Sequence, residues 1–245
     1  MTYIRALLFS VLIHYTLCAT TDRIIFHHIP KTAGTTIRTI LRKQVSSKEI
    51  FPPYFQYQIE DTPLLELSQH KLIWGHFLFS RFKGISGKRI TFLRDPVERV
   101  LSAHRYYKQR ADQKRRMSKD HICPPGDPVK VLRNNQCKYL SSLDIYNPAF
   151  SDKQHLESAK YNLQNNFFFV GITEDIDNAY RILCKLLGST PPDSVPRRNV
   201  TKKQRESYPE SLIHEIKKRN SEDIKLYQFA KKLYEKKYKH STCAS

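Results

Sequence analysis

Short runs of β-branched and aromatic residues alternate along this chain with segments whose apolar residues recur at helical spacing. The runs are typical of buried strands and cover residues 24–30, 71–75, 89–94 and 166–172. Helical spacing predicts helices over residues 37–45, 62–70, 96–107, 151–162, 176–187 and 221–238, and another within 129–143. This alternation, without an internal repeat or a linker, predicts a single α/β domain whose central parallel sheet is flanked by helices.

Residues 24–36, IIFHHIPKTAGTT, join the first predicted strand to the first predicted helix. Pro30 lacks an N–H group and ends the strand. The residues that follow are polar or small: Lys31, Thr32, Ala33, Gly34, Thr35 and Thr36. A tight polar turn before a helix presents main-chain N–H groups to an anion, so we predict a phosphate-binding loop. The lysine precedes the glycine, unlike in the Walker pattern, and an ordinary connection with a surface lysine is the alternative.

The carboxyl ends of the predicted strands matter most for function, because ligands of open α/β sheets bind in the crevice beyond them. The residues at these ends are Lys31, Gly75, His76, Arg94, Asp95 and residues 171–174. We therefore expect them to converge on one crevice. The guanidinium of Arg94 suits a second phosphate, and pairing with a nearby carboxylate is the alternative. Ser102 lies eight residues further on, where an ordinary helix serine is the alternative.

Net charge indicates a polyanionic partner without identifying it. The chain of 245 residues has 42 Lys and Arg against 23 Asp and Glu, a formal net charge of +19. Such a field attracts nucleic acid, acidic glycans, anionic membranes and nucleotide phosphates alike.

The N-terminus narrows this choice. Residues 1–20 contain one basic residue, an apolar run and small residues at the end, which is typical of a secretory signal peptide or a short uncleaved signal anchor. Residues 21–245 would then form the domain, inside the secretory pathway or secreted. There we expect an acidic glycan rather than nucleic acid as partner, and membrane contact only through an uncleaved anchor. The oligomeric state is left open.

The five cysteines are too sparse for a disulfide scaffold. Cys123 and Cys137 bracket a Pro- and Gly-rich loop, and they either form a bridge in an oxidising compartment or are free thiols. No CxxC or clustered Cys/His spacing occurs in the sequence, so no metal site is expected. The sequon at Asn199 is consistent with the secretory pathway.

Two segments carry a family resemblance: HIPKTAGTT over residues 28–36 and FLRDPVERVLSAHRYY over residues 92–107. They resemble the two cofactor-binding segments of the Golgi carbohydrate sulfotransferases, which use 3′-phosphoadenosine 5′-phosphosulfate (PAPS). The resemblance implies a P-loop-like sulfotransferase fold, a Golgi location, and PAPS as co-substrate without a metal. Arg94 and Ser102 would hold the 3′-phosphate. The residues implied to hold the phosphosulfate are Lys31, Thr32, Ala33, Gly34, Thr35 and Thr36.

Further segments are similar to the heparan sulfate 2-O- and 6-O-sulfotransferases. They are NNQCKYLSSL over residues 134–143, FFVGITE over 168–174 and NSEDIKLYQFAKKLYEKKY over 220–238. The first resembles an NxQTRxL segment in which Cys137 stands where threonine is usual. The last leans towards the 6-O branch. The resemblance extends over residues 23–238, and the order and spacing of the segments make it specific.

The acceptor hydroxyl needs a general base, and histidine has a suitable pKa near neutral pH. His76 stands at a strand end and resembles the catalytic histidine of the heparan sulfate enzymes. The 2-O branch has a second histidine two residues earlier, where this chain has Trp74. The resemblance implies that His76 accepts the acceptor proton while Lys31 stabilises the leaving phosphate. We predict that His27 and His28 are core or sheet-face residues.

The implied function is PAPS-dependent transfer of a sulfuryl group to a hydroxyl of an acidic glycan, most naturally one like heparan sulfate. Two alternatives stay open: a sulfotransferase for chondroitin, dermatan or protein tyrosine, and a non-catalytic heparin-binding protein of the same fold. The basic residues predicted to bind the glycan are Arg81, Lys83, Arg105, Lys108, Arg110, Lys114, Arg115 and Arg116.

Overall fold

A computed structural model of the protein describes residues 22–51, 62–112, 132–193 and 208–239. At its centre lies a four-stranded sheet in the order β2-β1-β3-β4. The strands are β1 Ile24–His27, β2 Leu72–Gly75, β3 Lys88–Leu93 and β4 Phe169–Ile172. Each pair of neighbouring strands is parallel. The prediction of a single α/β domain with a central parallel sheet flanked by helices is confirmed.

The helices alternate with the strands, as the sequence pattern predicts. They are α1 Gly34–Leu41, α2 Leu64–Leu67, α3 Pro96–Asp112, α4 Asn135–Leu140, α5 Asp152–Asn165, α6 Ile176–Leu186, α7 Glu210–Arg219 and α8 Ser221–Tyr234. Helix α2 is a single turn rather than the predicted helix over residues 62–70. The final helix ends in a π-helical turn, Glu235–Lys239.

Helix α7 is not predicted by the sequence pattern. Its apolar residues Leu212, Ile213 and Ile216 form one short stripe in an otherwise polar and basic segment. This stripe packs against Val100 and Leu101 of α3 in a small satellite cluster. Tertiary packing therefore stabilises a helix whose own sequence signal is weak.

The sheet has buried residues on both faces, which is why its strands consist largely of apolar residues. Phe26 of β1, Phe92 of β3 and Phe169 of β4 belong to the larger core cluster, which includes residues of α1, α4, α5, α6 and α8. Ile25 and Ile73 belong to a second cluster, formed with α2 and the segment that follows β2. The strand ends are thus held from both sides.

Several predictions fall outside the described residues: the signal peptide or anchor, Cys123, the basic run at 114–116, and the sequon at Asn199 with the loop around it. Cys137 is a free, buried thiol, which agrees with the free-thiol alternative for this residue. Among the described residues, no helix is both long enough and apolar enough to span a membrane.

Candidate active site

The carboxyl ends of the strands meet as predicted, and polar contacts join their loops. Arg94, directly after β3, donates from Nη1 to the carbonyl oxygen of Lys31 at 3.2 Å. The main-chain N–H of Asp95 donates to Oε1 of Glu174, which follows β4, at 3.0 Å. His76, directly after β2, donates from Nδ1 to a main-chain carbonyl of the loop after β1 at 2.7 Å. The carboxyl ends of all four strands therefore lie at one edge of the sheet, where the sequence predicts a crevice.

The loop between β1 and α1 has an unusual backbone at two non-glycine residues. Lys31 and Ala33 have φ angles of 73° and 61°, in the left-handed region that side chains disfavour. Such strain clusters at functional sites. Ala33 is also the N-cap residue of α1, and no side chain caps this helix end. A turn of this kind and a helix N-terminus both present main-chain N–H groups to an anion. The backbone thus fits the predicted anion-binding loop.

The threonines of this loop are placed differently from one another. Thr32 is fully buried, and its Oγ1 donates to the carbonyl oxygen of Ile29 at 2.9 Å. The main-chain N–H of Thr36 donates to the carbonyl oxygen of Ala33 at 3.0 Å, which closes the first turn of α1. Thr35 is more exposed than either of the other two. The hydroxyl of Thr32 therefore stabilises the loop from inside.

His76 is held in one tautomer. Its Nδ1 lies 2.7 Å from the carbonyl oxygen of His28, and a carbonyl oxygen can only accept a hydrogen bond. Nδ1 must therefore carry the proton, which leaves Nε2 of the neutral ring with the lone pair. This is the arrangement that a general base requires.

The side chain of His28 packs beside His76 and against the loop. The two imidazole rings lie 4.3 Å apart at their centroids with an interplanar angle of 32°. A Cβ atom built on Gly34 would lie only 1.9 Å from Nε2 of His28. Burial lowers the pKa of His28 well below its usual value, and the nearby charges of His76, Lys31 and Arg38 lower it further. His28 therefore lies beside His76 and against the loop, a position that the prediction of a core or sheet-face residue did not specify.

Helix α3 brings Ser102 and Tyr106 to the same crevice. Nζ of Lys31 lies 4.1 Å from the ring centroid of Tyr106, within the range of a cation–π interaction. Ser102 lies four residues earlier and therefore on the same face of the helix. It is 6% exposed. The structure thus brings Ser102 to the side of α3 that faces Lys31.

Arg94 is largely buried at the end of β3. Burial lowers the pKa of its guanidinium, and the charges of Glu174 and Glu98 oppose this effect. Nη2 lies 3.7 Å from Oε2 of Glu98, which is the carboxylate pairing that the sequence left open. The main chain of Arg94 is held separately, by the side chain of Gln136.

Comparison with known proteins decides the family. A sequence model described as the sulfotransferase family matches residues 14–230. The chain belongs to the sulfotransferase family. Human heparan-sulfate 6-O-sulfotransferase 2 is 27% identical over an alignment that covers 89% of this chain and 45% of that protein. Human heparan-sulfate 6-O-sulfotransferase 3 is 27% identical over 62% of this chain and 39% of that protein.

These relatives confirm the predicted resemblance to carbohydrate sulfotransferases. This chain spans less than half of their length. A crystal structure of mouse sulfotransferase SULT7A1 complexed with PAP is 13% identical, with a TM-score of 0.42, and the match covers 82% of this chain and 63% of that chain. The family assignment rests on the sequence match.

Cys137, where this sulfotransferase-family chain departs from the threonine of the NxQTRxL segment, lies in the core. Its main-chain N–H donates to Oδ1 of Asp223 at 2.8 Å. Burial and the neighbouring charge of Asp223 raise the pKa of the thiol. The side chain of residue 137 is therefore part of the core and lies beside Asp223.

The basic residues predicted to bind a glycan are only partly described. Arg81 donates to the carbonyl oxygen of Thr62, which is a structural role. Nη2 of Arg105 lies 3.9 Å from Oε2 of Glu98. Lys83 and Lys108 are exposed. The remaining side chains lie outside the described part of the chain. Within that part, no group of three or more His, Cys, Asp or Glu residues could hold a metal ion, and the absence of a metal stays a prediction.

Proposed function

We propose that this chain transfers a sulfuryl group from PAPS to a hydroxyl of an acidic glycan of the heparan sulfate type. The observation that supports this most strongly is a histidine with a fixed tautomer next to a lysine-bearing anion loop. His76 donates from Nδ1 to the carbonyl oxygen of His28, in the segment that leads into Lys31 and α1. A base and an anion site at neighbouring strand ends are what transfer to an alcohol requires.

The residues present fit PAPS. The loop with left-handed backbone at Lys31 and Ala33, and the uncapped N-terminus of α1, suit the phosphosulfate. The side chain of Lys31 would supply a positive charge. Thr32 would contribute through its main chain, since its hydroxyl already donates to the carbonyl oxygen of Ile29. The proposed phosphosulfate site is completed by Ala33, Gly34, Thr35 and Thr36. Arg94 and Ser102 suit the 3′-phosphate. PAPS, when bound, supplies the sulfuryl group and a phosphate leaving group.

The chain's own residues would divide the remaining work. Nε2 of His76 accepts the proton of the acceptor hydroxyl as its oxygen forms the new bond to sulfur and the bond from sulfur to the phosphate oxygen breaks. Lys31 and the loop N–H groups stabilise the negative charge that develops on that phosphate oxygen. The two products are the sulfate ester of the acceptor and adenosine 3′,5′-bisphosphate (PAP).

The acceptor class is supported by the names of the relatives, which are heparan-sulfate 6-O-sulfotransferases, and by the net charge of +19. A cationic surface concentrates polyanionic substrates and speeds their encounter. Location in the secretory pathway, in the Golgi lumen or secreted, belongs to the same proposal, as does membrane attachment only through an N-terminal anchor.

The test is transfer of labelled sulfate from PAPS to a panel of desulfated glycans by the full chain and by Lys31→Ala. We expect transfer to heparan-type acceptors and a loss of about 100-fold or more in the variant. Transfer only to chondroitin, dermatan or tyrosine peptides would change the acceptor. Binding of glycan without stabilisation by PAP would indicate a non-catalytic binder. Near-full transfer by Lys31→Ala would refute the role of the loop.

A further inference from the structure

Gln136 holds the main chain of Arg94 at two points. Its Oε1 accepts a hydrogen bond from the main-chain N–H of Arg94 at 3.0 Å, and its Nε2 donates to the carbonyl oxygen of Arg94 at 2.9 Å. One side-chain amide thus makes both hydrogen bonds that a neighbouring strand would make. Gln136 is itself fully buried, so these bonds do not compete with water.

Gln136 is anchored in turn by Asp223 of α8. The main-chain N–H groups of Gln136 and Cys137 donate to the two carboxylate oxygens of Asp223 at 3.0 and 2.8 Å. The Asp223 side chain is fully buried, and its Oδ2 lies 3.6 Å from Nη2 of Arg99, which is also fully buried. Helices α3, α4 and α8 therefore meet at one buried carboxylate. This carboxylate fixes the first turn of α4, which contains Gln136.

This network ends at the anion loop. Because both main-chain groups of Arg94 are held, the direction in which its side chain leaves β3 is set by Gln136. That side chain donates to the carbonyl oxygen of Lys31 at 3.2 Å. A rotation of the Arg94 main chain would therefore move the guanidinium relative to the loop. No residue that touches the ligand would have to be substituted for this to happen.

We propose that Gln136, anchored by Asp223, is a positioning residue that aims the Arg94 guanidinium at the 3′-phosphate of the nucleotide. The inference rests on the proposed function, since it assigns a determinant of nucleotide recognition to the same crevice. The NNQCKYLSSL segment over residues 134–143 would then act by positioning Arg94 and not by contacting the ligand itself. The side chain of Gln136 acts on Arg94 alone, through the main chain.

The test compares two ligands that differ only in the 3′-phosphate, PAP and adenosine 5′-monophosphate. Equilibrium binding of each is measured for the full chain and for Gln136→Leu, which keeps a similar volume and removes both hydrogen bonds. We expect the Kd for PAP to rise about tenfold or more, because the released main chain of Arg94 no longer holds the guanidinium at the 3′-phosphate and a charge-assisted contact is weakened. The Kd for adenosine 5′-monophosphate should rise by less than about threefold, since that ligand lacks the 3′-phosphate and depends on the guanidinium only through its hydrogen bond to the carbonyl oxygen of Lys31.

Gln154→Leu is the matched control. Gln154 belongs to the exposed capping box at the start of α5, where its Oε1 accepts from the main-chain N–H of Ser151. We expect it to leave both Kd values unchanged. If Gln136→Leu does not fold, Gln136→Met replaces it, because its flexible side chain has a similar volume, adds no charge and makes neither hydrogen bond.

The outcomes separate this inference from the proposed function. Equal weakening of both ligands in the Gln136 variants would mean a general structural role and would overturn the inference. Unchanged PAP binding in a folded Gln136 variant would also overturn it. If the unaltered chain binds neither ligand, the proposed function itself fails. Selective loss of PAP affinity supports both.

Discussion

Replacing Gly34 by alanine should disturb the site through a single contact. Gly34 does not adopt a left-handed conformation, so its backbone accepts an alanine. The added Cβ, however, would lie 1.9 Å from Nε2 of His28 and 2.1 Å from its Cδ2. Ordinary contact needs about 3.4 Å or more between such atoms, so the imidazole must move by more than an ångström. The imidazole ring of His28, which must move, has its centroid 4.3 Å from that of the His76 ring.

The cost can be estimated from these contacts. Overpacking a well-packed site costs about 1–3 kcal/mol, and the gain from alanine over glycine in a helix offsets up to about 1 kcal/mol of it. For a chain of this size we expect the melting temperature to change by only a few degrees, about 2–4 °C for each kcal/mol. Activity should fall much more, by about 100-fold, because the displaced ring of His28 packs against the proposed base His76, and a shift of a catalytic group by about 1 Å has that effect.

Gly84→Ala provides the matched control for this assay. The nearest atom to a Cβ at Gly84 is Cδ1 of Leu64 at 3.9 Å, so this variant should retain both stability and sulfate transfer. The double variant His28→Ala/Gly34→Ala should recover most of the stability that Gly34→Ala loses, since the clash is removed. A Gly34→Ala protein with full activity would refute the predicted clash between Cβ and His28. A loss of stability that the additional His28→Ala substitution does not relieve would refute it as well.

Three further predictions concern stability and are measured by urea unfolding. Burial, with a smaller contribution from Arg89, lowers the pKa of His27, so the unfolded chain binds more protons below about pH 6.5 and stability should fall there as pH decreases. His27→Phe should reduce that slope by up to about 1.4 kcal/mol per pH unit, and an unchanged slope between about pH 7.5 and 5.5 would contradict this. Arg99→Met should cost about 3–5 kcal/mol by leaving Asp223 buried without its partner, and a cost below about 1 kcal/mol would be incompatible with that pairing. Asp95→Ala should cost about 1 kcal/mol, because Oδ1 of Asp95 accepts the main-chain N–H of Glu98 at the start of α3; no loss would mean that the cap is not used.

The sequence predicts the sheet and the proximity of its strand ends well, for physical reasons. Strands buried on both faces need near-continuous apolar runs, so β1 and β4 are visible as such in the sequence. Parallel strands place their carboxyl ends at one edge, so the proximity of Arg94 to Lys31 follows from topology alone.

Other features depend on contacts between distant residues and leave no local pattern. The position of His28 beside His76 arises from the loop conformation after β1, and alternation along the strand predicted only a core or sheet-face residue. The role of Gln136 requires α4 to lie against the end of β3, 42 residues away in sequence. The sequence does not predict that Gly34 lacks room for a side chain. The atoms that exclude a Cβ there belong to the ring of His28, and the fold of the loop brings them to Gly34.

In the proposed function, His76 is the base for sulfate transfer at a nucleotide site that other residues hold. The most direct measurement is the rate of labelled sulfate transfer from PAPS by His76→Ala, with PAP affinity measured on the same preparation. Loss of a general base costs about 10²–10⁴-fold in rate. The residues of the anion loop and Arg94 keep their side chains, and the loop loses only the hydrogen bond from Nδ1 of His76 to the carbonyl oxygen of His28. The transfer rate should therefore fall by that factor, while the Kd for PAP rises by less than about tenfold. Transfer at a near-wild-type rate by a variant that still binds PAP would contradict the account.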